Sequence, residues 1–197
     1  MALLDCIKNR FSAREFSPKD INDDILYEIL EAGRLAPSAK NRQPWRFAVL
    51  KGREKSVVSQ VYRNNIMHAQ RKNDHLMERE FSSEGKTYEI IEQAPILILV
   101  FNAFPSESVF SRTDKPFDLA NAQSIGAAIE NMLLQATTLK VNSLWICDIV
   151  TASQDISRLF PDAGTLIAGI VLGYSPQSHR QTMRRTLDEL LITIEEP

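Results

Sequence analysis

The sequence predicts an α+β sandwich, on three observations. Its 197 residues are 44% hydrophobic and 24% charged, the balance of a globular chain with enough apolar surface for one substantial core. Apolar runs of strand length, such as WRFAVL at 45–50 and ILILVF at 96–101, are separated by stretches with helical spacing. The connections between those strands are mixed in length and kind, unlike a regular strand–helix alternation. The expectation is a single domain over residues 1–197.

In chain order, residues 2–9 read as a short helix with Leu3, Leu4 and Ile7 on one side. RFSAREFSP is polar and interrupted, and it ends at Pro18. Ile21, Ile25, Leu26, Ile29, Leu30, Gly33 and Ala36 then recur at helical spacing. Asn22 can cap that helix, Asp23 and Asp24 suit its positive end, and Pro37 stops it. Trp45 to Leu50 reads as a strand. Residues 53–93 read as mostly helical and highly charged, with a looser excursion at NDHLMEREFSSEGKTYE. A buried strand follows Pro95. The stretch 103–117, holding Pro105 and Pro116, reads as loop, and the longest helix runs from Asp118 to about Lys140. Its alanines and Gly126 leave little room between neighbours, which suits a central buried helix. Leu144–Ile149 reads as a short strand, 152–160 as a helix and Leu166–Tyr174 as the last strand. A basic tail with Arg180, Arg184 and Arg185 leads into the apolar LDELLITI. Such a tail, about 180–197, would be covered if it wrapped a partner subunit.

Several function classes are disfavoured. Lys and Arg number 23 against 25 Asp and Glu, a net charge of −2, so neither nucleic acid nor an anionic membrane is an expected partner. The run Ile96 to Phe101 is too short to span a membrane, and MALLDCIKNR lacks the apolar stretch of a secretory signal. The two cysteines, Cys6 and Cys147, are far apart. They offer neither a zinc spacing nor a disulfide framework, so a cytoplasmic setting is expected. No two of the seven glycines make a Gly-x-Gly, which excludes the dinucleotide fingerprint and the phosphate loop. The three histidines are scattered without metal spacing, and no Gly-x-Ser-x-Gly elbow occurs.

Three places could carry chemistry. Arg10, Ser12 and Arg14 stand two apart in an extended or irregular stretch, where they could face one side. Two guanidinium forks around a hydroxyl suit a phosphate, although a solvated basic loop has the same spacing. In APSAKNRQPW, Pro37 ends the helix, Ser38 offers a hydroxyl, and Asn41 and Gln43 offer amides that donate and accept. Pro44 and Trp45 then fix the entry to a strand. Arg184 and Arg185 are a second cationic pair, equally readable as a solvated tail.

Together, NRFSAREF, the helix running into PSAKNRQPWRFAVL, SIGAAIENMLLQAT, SLWICDI and GYSP with RRTLDEL resemble the FMN-dependent nitroreductase family over nearly the whole chain. The resemblance implies a central mixed, mainly antiparallel sheet flanked by helices. It also implies a homodimer with FMN at the subunit interface, reduced by NADH or NADPH. Arg10, Ser12 and Arg14 would hold the flavin phosphate and ribityl chain, with Arg14 reaching toward the pyrimidine side. Pro37, Ser38, Asn41 and Gln43 would pack around the ring, largely from the partner. Arg184 or Arg185 would complete the phosphate site, and Trp145, Ile146 and Cys147 would lie near the flavin edge. Neither a metal nor an essential acid–base side chain is expected, because the flavin itself takes and passes on the hydride.

Two departures stand out. Cys147 and Asp148 occupy the place where many relatives carry a glycine, which predicts a narrower, more acidic pocket. Thr182 stands where a Lys or Arg is common. The reading is an NAD(P)H-dependent oxidoreductase passing hydride through FMN to nitroaromatics, quinones or similar acceptors by a ping-pong cycle. The alternatives are a same-fold enzyme that fragments flavin or removes halogen, and a non-enzymatic flavin-binding protein.

Overall fold

The computed structural model describes residues 2–71, 87–104, 115–179 and 182–192. Among these the order is α1 (Leu3–Asn9), α2 (Asp23–Arg34), a 3-10 turn (Ala39–Asn41), β1 (Trp45–Lys51), α3 (Gly52–Arg71) and α4 (Thr87–Gln93). Then follow β2 (Ile96–Asn102), α5 (Lys115–Thr138), β3 (Asn142–Ile146), a 3-10 turn (Asp148–Ala152), α6 (Ser153–Ser157), β4 (Thr165–Gly173) and α7 (Leu187–Leu190).

The strands form one sheet in the order β1-β2-β4-β3. Every pairing in it is antiparallel. Parallel character enters only through an isolated bridge between Ser12 and Ser143, where the Ala13 N–H donates to the Ser143 carbonyl at 3.0 Å. That contact covers part of the open edge of β3 with the 10–14 segment.

All seven residues of β2 are buried, and the alternation of a strand sends them to two cores. Leu97, Leu99 and Phe101 join Val58 and Tyr62 of α3, Ile90 and Ile91 of α4, and Ile149 and Ile156 on one face. Ile96, Ile98 and Val100 join Leu26 and Ile29 of α2 and Ile125, Ile129 and Met132 of α5 on the other. The sheet therefore lies between two helical layers, an α+β sandwich as expected.

The Asn22 side chain caps α2 by accepting from the Asp24 N–H. Close approach between α2 and α5 falls at Gly33 rather than at Gly126. A Cβ at Gly33 would lie 2.7 Å from Met132 Cγ and Sδ, whereas one at Gly126 would meet only Trp145, at 3.8 Å. At the turn into β4, Gly164 has φ +98, and a Cβ there would fall 2.0 Å from the Asn102 carbonyl oxygen. Only glycine fits that turn.

Several expected boundaries shift by a few residues. The long helix starts at Lys115, three residues before Asp118. The strand expected to reach Ile149 stops at Ile146, because Cys147 turns to helical angles (φ −84, ψ −36) and opens the next 3-10 turn. The excursion expected within 73–89 lies mostly outside the described residues, as do 105–114 of the expected loop and Arg180. No described helix is long and apolar enough to cross a membrane.

Candidate functional site

The 10–14 segment leaves α1 with extended backbone at Arg10. Ala13 points inward, while Ser12 and Arg14 are exposed and Arg10 is partly exposed. Arg14 is fixed at its backbone, whose N–H donates to Gln177 Oε1 at 2.8 Å, and its Nη1 donates to the Ser12 carbonyl at 3.2 Å. Arg10 Nε lies 3.8 Å from Glu130 Oε1 on α5, a long and half-solvated pair worth little to stability.

The second segment departs most from ordinary backbone. Lys40 (φ 54), Asn41 (φ 54) and Gln43 (φ 47) are all left-handed without being glycine. Each such residue costs about 1 kcal/mol or more. The fold holds the segment by side chain and main chain together. Ser38 Oγ accepts from the Gln43 N–H at 3.0 Å, and Ser124 Oγ of α5 accepts from the Ala39 N–H at 3.2 Å. The Asn41 N–H donates to the Ser38 carbonyl at 3.0 Å. Pro37, Asn41 and Gln43 are exposed, which leaves both amide side chains to face outward.

At the end of β3, Trp145 packs on the α2–α5 side, and Ile146 packs on the opposite side. The Trp145 Nε1–H is buried with no hydrogen-bond partner among the described residues. Indole is a donor only, and leaving such a donor unpaired costs about 1–3 kcal/mol. Cys147 is exposed as a residue. Its thiol is nonetheless partly desolvated, and burial first and the Asp148 charge second raise its pKa above the ordinary value. It is a protonated thiol at neutral pH, not a primed nucleophile.

Asp148 is tied to the protein by two hydroxyls. Its Oδ2 accepts from the Tyr62 hydroxyl and from Thr87 Oγ1, both at 2.9 Å. The carboxylate thus belongs to an internal network joining α3, α4 and the turn after β3. Burial first and then Asp148 push the Tyr62 phenol well above its usual value.

The three sequence segments are not all gathered. Helix α5 meets the second segment at Ser124, Trp145 at Gly126 and Arg10 at Glu130. Those three positions span about 9 Å of helix axis. Arg184 and Arg185 stand apart and exposed. Arg184 Nη1 donates to Thr182 Oγ1 and to the Met183 carbonyl, so its bonds are to its own neighbours. Arg14, Arg184 and Arg185 pair with no carboxylate among the described residues.

Reading from sequence missed Glu130, Gln177 and the Tyr62–Asp148–Thr87 network, none of which carries a local signal. It also passed over Lys40 and Arg42 within the quoted motif. Two bases alternating with two amides just before Pro44 were the available clue.

Comparison with known proteins fits this arrangement. A provisionally named NADH dehydrogenase/NAD(P)H nitroreductase of Archaeoglobus fulgidus is 31% identical over 145 residues, 72% of this chain and 67% of that protein. An iodotyrosine dehalogenase 1 homolog of Caenorhabditis elegans is 23% identical over 178 residues, 87% of this chain and 54% of that one. The crystal structure of a provisionally named nitroreductase of Desulfovibrio desulfuricans in complex with FMN is 26% identical. It superposes with a TM-score of 0.73, covering 100% of this chain and 99% of that one. The model of the nitroreductase family matches residues 7–174, and the chain belongs to that family.

Proposed function

We propose that this chain is an NAD(P)H-dependent FMN oxidoreductase, working as a homodimer on nitroaromatics, quinones or similar electron-poor acceptors by a ping-pong cycle. The observation that carries the reading is the gathering on α5 of the Arg10 segment, the left-handed amide segment and the Trp145 strand end. Bound FMN would supply reversible hydride acceptance and donation, which asks no nucleophile of the protein.

The residues fit such a group in two respects. Trp145 Nε1 is a buried donor lacking an acceptor among the described residues, and a ligand oxygen reaching it through a small shift of the indole would remove that cost. Arg14, Arg184 and Arg185 are cations without carboxylates among the described residues, as a phosphate dianion requires where no glycine-rich loop exists. Arg10, Ser12 and Arg14 would hold the phosphate and ribityl chain, with Arg14 toward the pyrimidine side, where negative charge would be stabilised. Pro37, Ser38, Asn41 and Gln43 would pack around the ring. Arg184 or Arg185 would complete the phosphate site. Trp145, Ile146 and the Cys147 backbone N–H would border the ring edge. Two free cysteines, one exposed, are compatible with a reducing cytoplasm.

The test is a visible spectrum of the purified protein with added FMN, taken anaerobically before and after NADH or NADPH. Bound flavin should bleach with the donor and recover with a nitroaromatic or quinone. Binding without bleaching by either donor would leave a flavin-binding protein, and no binding would end the reading. Likeness to the dehalogenase homolog favours reductive dehalogenation as a second reading. Anaerobic halide release from a halophenol, in place of acceptor turnover, would select it.

A further inference from the structure

Lys40 and Arg42, on the left-handed segment, sit against two aromatic rings from the flanks of β2 and α5. The Arg42 guanidinium lies 4.8 Å from the Phe104 ring centroid and 5.2 Å from that of Phe117. Lys40 Nζ lies 5.4 Å from the Phe117 centroid. Phe104 is 45% and Phe117 47% exposed, so large apolar rings are shown to solvent beside two cations. Neither cation has an ion-pair or side-chain hydrogen-bond partner among the described residues. A guanidinium resting on ring faces keeps its N–H edge free for a carboxylate or phosphate. In a chain of net charge −2, two cations on one strained turn with no carboxylate partner among the described residues are not a by-product of a basic surface. If the cluster only fastened the loop, two long apolar side chains would pack the rings as well and need no charge.

We propose that Lys40 and Arg42, backed by Phe104 and Phe117, form a charge-selective subsite that receives the anionic group of a ring-bearing substrate. This rests on the oxidoreductase reading above, which sets the same turn beside the flavin. The anion is either a carboxylate on the electron acceptor or the phosphate monoester of the nicotinamide donor.

The experiment compares the full-length FMN-loaded protein with Lys40→Met, Arg42→Met and the double variant. One arm measures the ratio of kcat/KM for 4-nitrobenzoate over 4-nitrobenzyl alcohol with NADH fixed. The other measures the ratio for NADPH over NADH with a neutral quinone fixed. Calorimetric titration adds a readout independent of turnover: benzoate against benzyl alcohol, and adenosine 2′,5′-bisphosphate against adenosine monophosphate. The double variant should lose about tenfold in the anionic-over-neutral ratio of one arm, with a matching weakening of that arm's anionic probe. Loss in the first arm assigns the carboxylate, and loss in the second assigns the phosphate. Bound, reducible flavin with both ratios unchanged would overturn the subsite and leave the oxidoreductase reading standing. A wild-type protein that binds no flavin would overturn both. Should the methionine variants fail to fold, the wild-type ratios decide. Neither ratio falling from low to high salt would overturn the proposal, because a charge-selective contact is screened.

Discussion

Tyr62 lies 2% exposed under the sheet, and its hydroxyl donates to Asp148 at 2.9 Å. Burial first, then the Asp148 charge, raise the phenol above its ordinary value. A raised folded-state value means that the folded protein keeps a proton the unfolded chain releases near pH 10. The stabilisation tied to that proton is therefore full below about pH 10 and is lost as the pH climbs toward the folded value. Tyr62→Phe should cost about 1.5–3 kcal/mol at neutral pH, the worth of a hydrogen bond to a charged acceptor. It should also flatten the alkaline decline. Urea midpoints of both proteins from neutral pH to about pH 11 would check this, and parallel declines would refute it. The same change loosens the turn that follows Cys147, since Asp148 ties that turn to α3 and to Thr87 at the head of α4.

Among the elements, α5 decides the most. It is buried along Ile125, Ala128, Ile129, Met132, Leu133 and Ala136 and meets three parts of the candidate site around its middle, between Ser124 and Glu130. Its seating depends on Gly33, where an added Cβ would lie 2.7 Å from Met132. Gly33→Ala should destabilise the fold by about 1–3 kcal/mol through overpacking. It should also weaken FMN retention by displacing α5 from the site segments. Adding Met132→Ala opens the space again, so the two changes together should cost less than their separate effects summed. Denaturant melts and flavin occupancy of the four proteins give the comparison. Strict additivity would mean that the two residues do not compete for one space.

At the scale of the whole molecule, the outstanding feature is apolar surface left uncovered among the described residues. Met183 and Ile192 are each 97% exposed, and Leu187, Leu190 and Leu191 of the tail are exposed with them. On α1, Leu3, Leu4 and Ile7 are open as well, while Cys6 faces inward and contacts Thr138. Helix α7 itself is well formed locally, with a capping box between Thr186 and Glu189, so its apolar side chains are held on a defined turn. Patches of this kind mark an interaction surface. Sedimentation of the full chain should give twice the chain mass. Deleting residues 182–197 should lower both the dimer fraction and the bound flavin, because Arg184 and Arg185 leave with the tail. A full-length protein at the mass of one chain with full flavin would contradict the dimer.

Local chemistry was enough to place most of the helices and strands here, though not all of their ends. Asn22 followed by two aspartates starts α2 wherever the chain goes, and ILILVF is apolar on both faces, which suits only a doubly covered strand. The alternation of Arg10, Ser12 and Arg14 followed likewise from backbone geometry. Tertiary structure decided what no neighbouring residue encodes. β3 ends at Ile146 because Asp148 finds two hydroxyls from α3 and α4, 86 and 61 residues away in sequence. Lys40, Asn41 and Gln43 take left-handed backbone because Ser124 on α5 and Ser38 hold the segment there. The Trp145 N–H is left without an acceptor among the described residues because sheet and helix close around it. Propensity and periodicity act over a few residues, whereas contacts made by packing depend on the path of the whole chain.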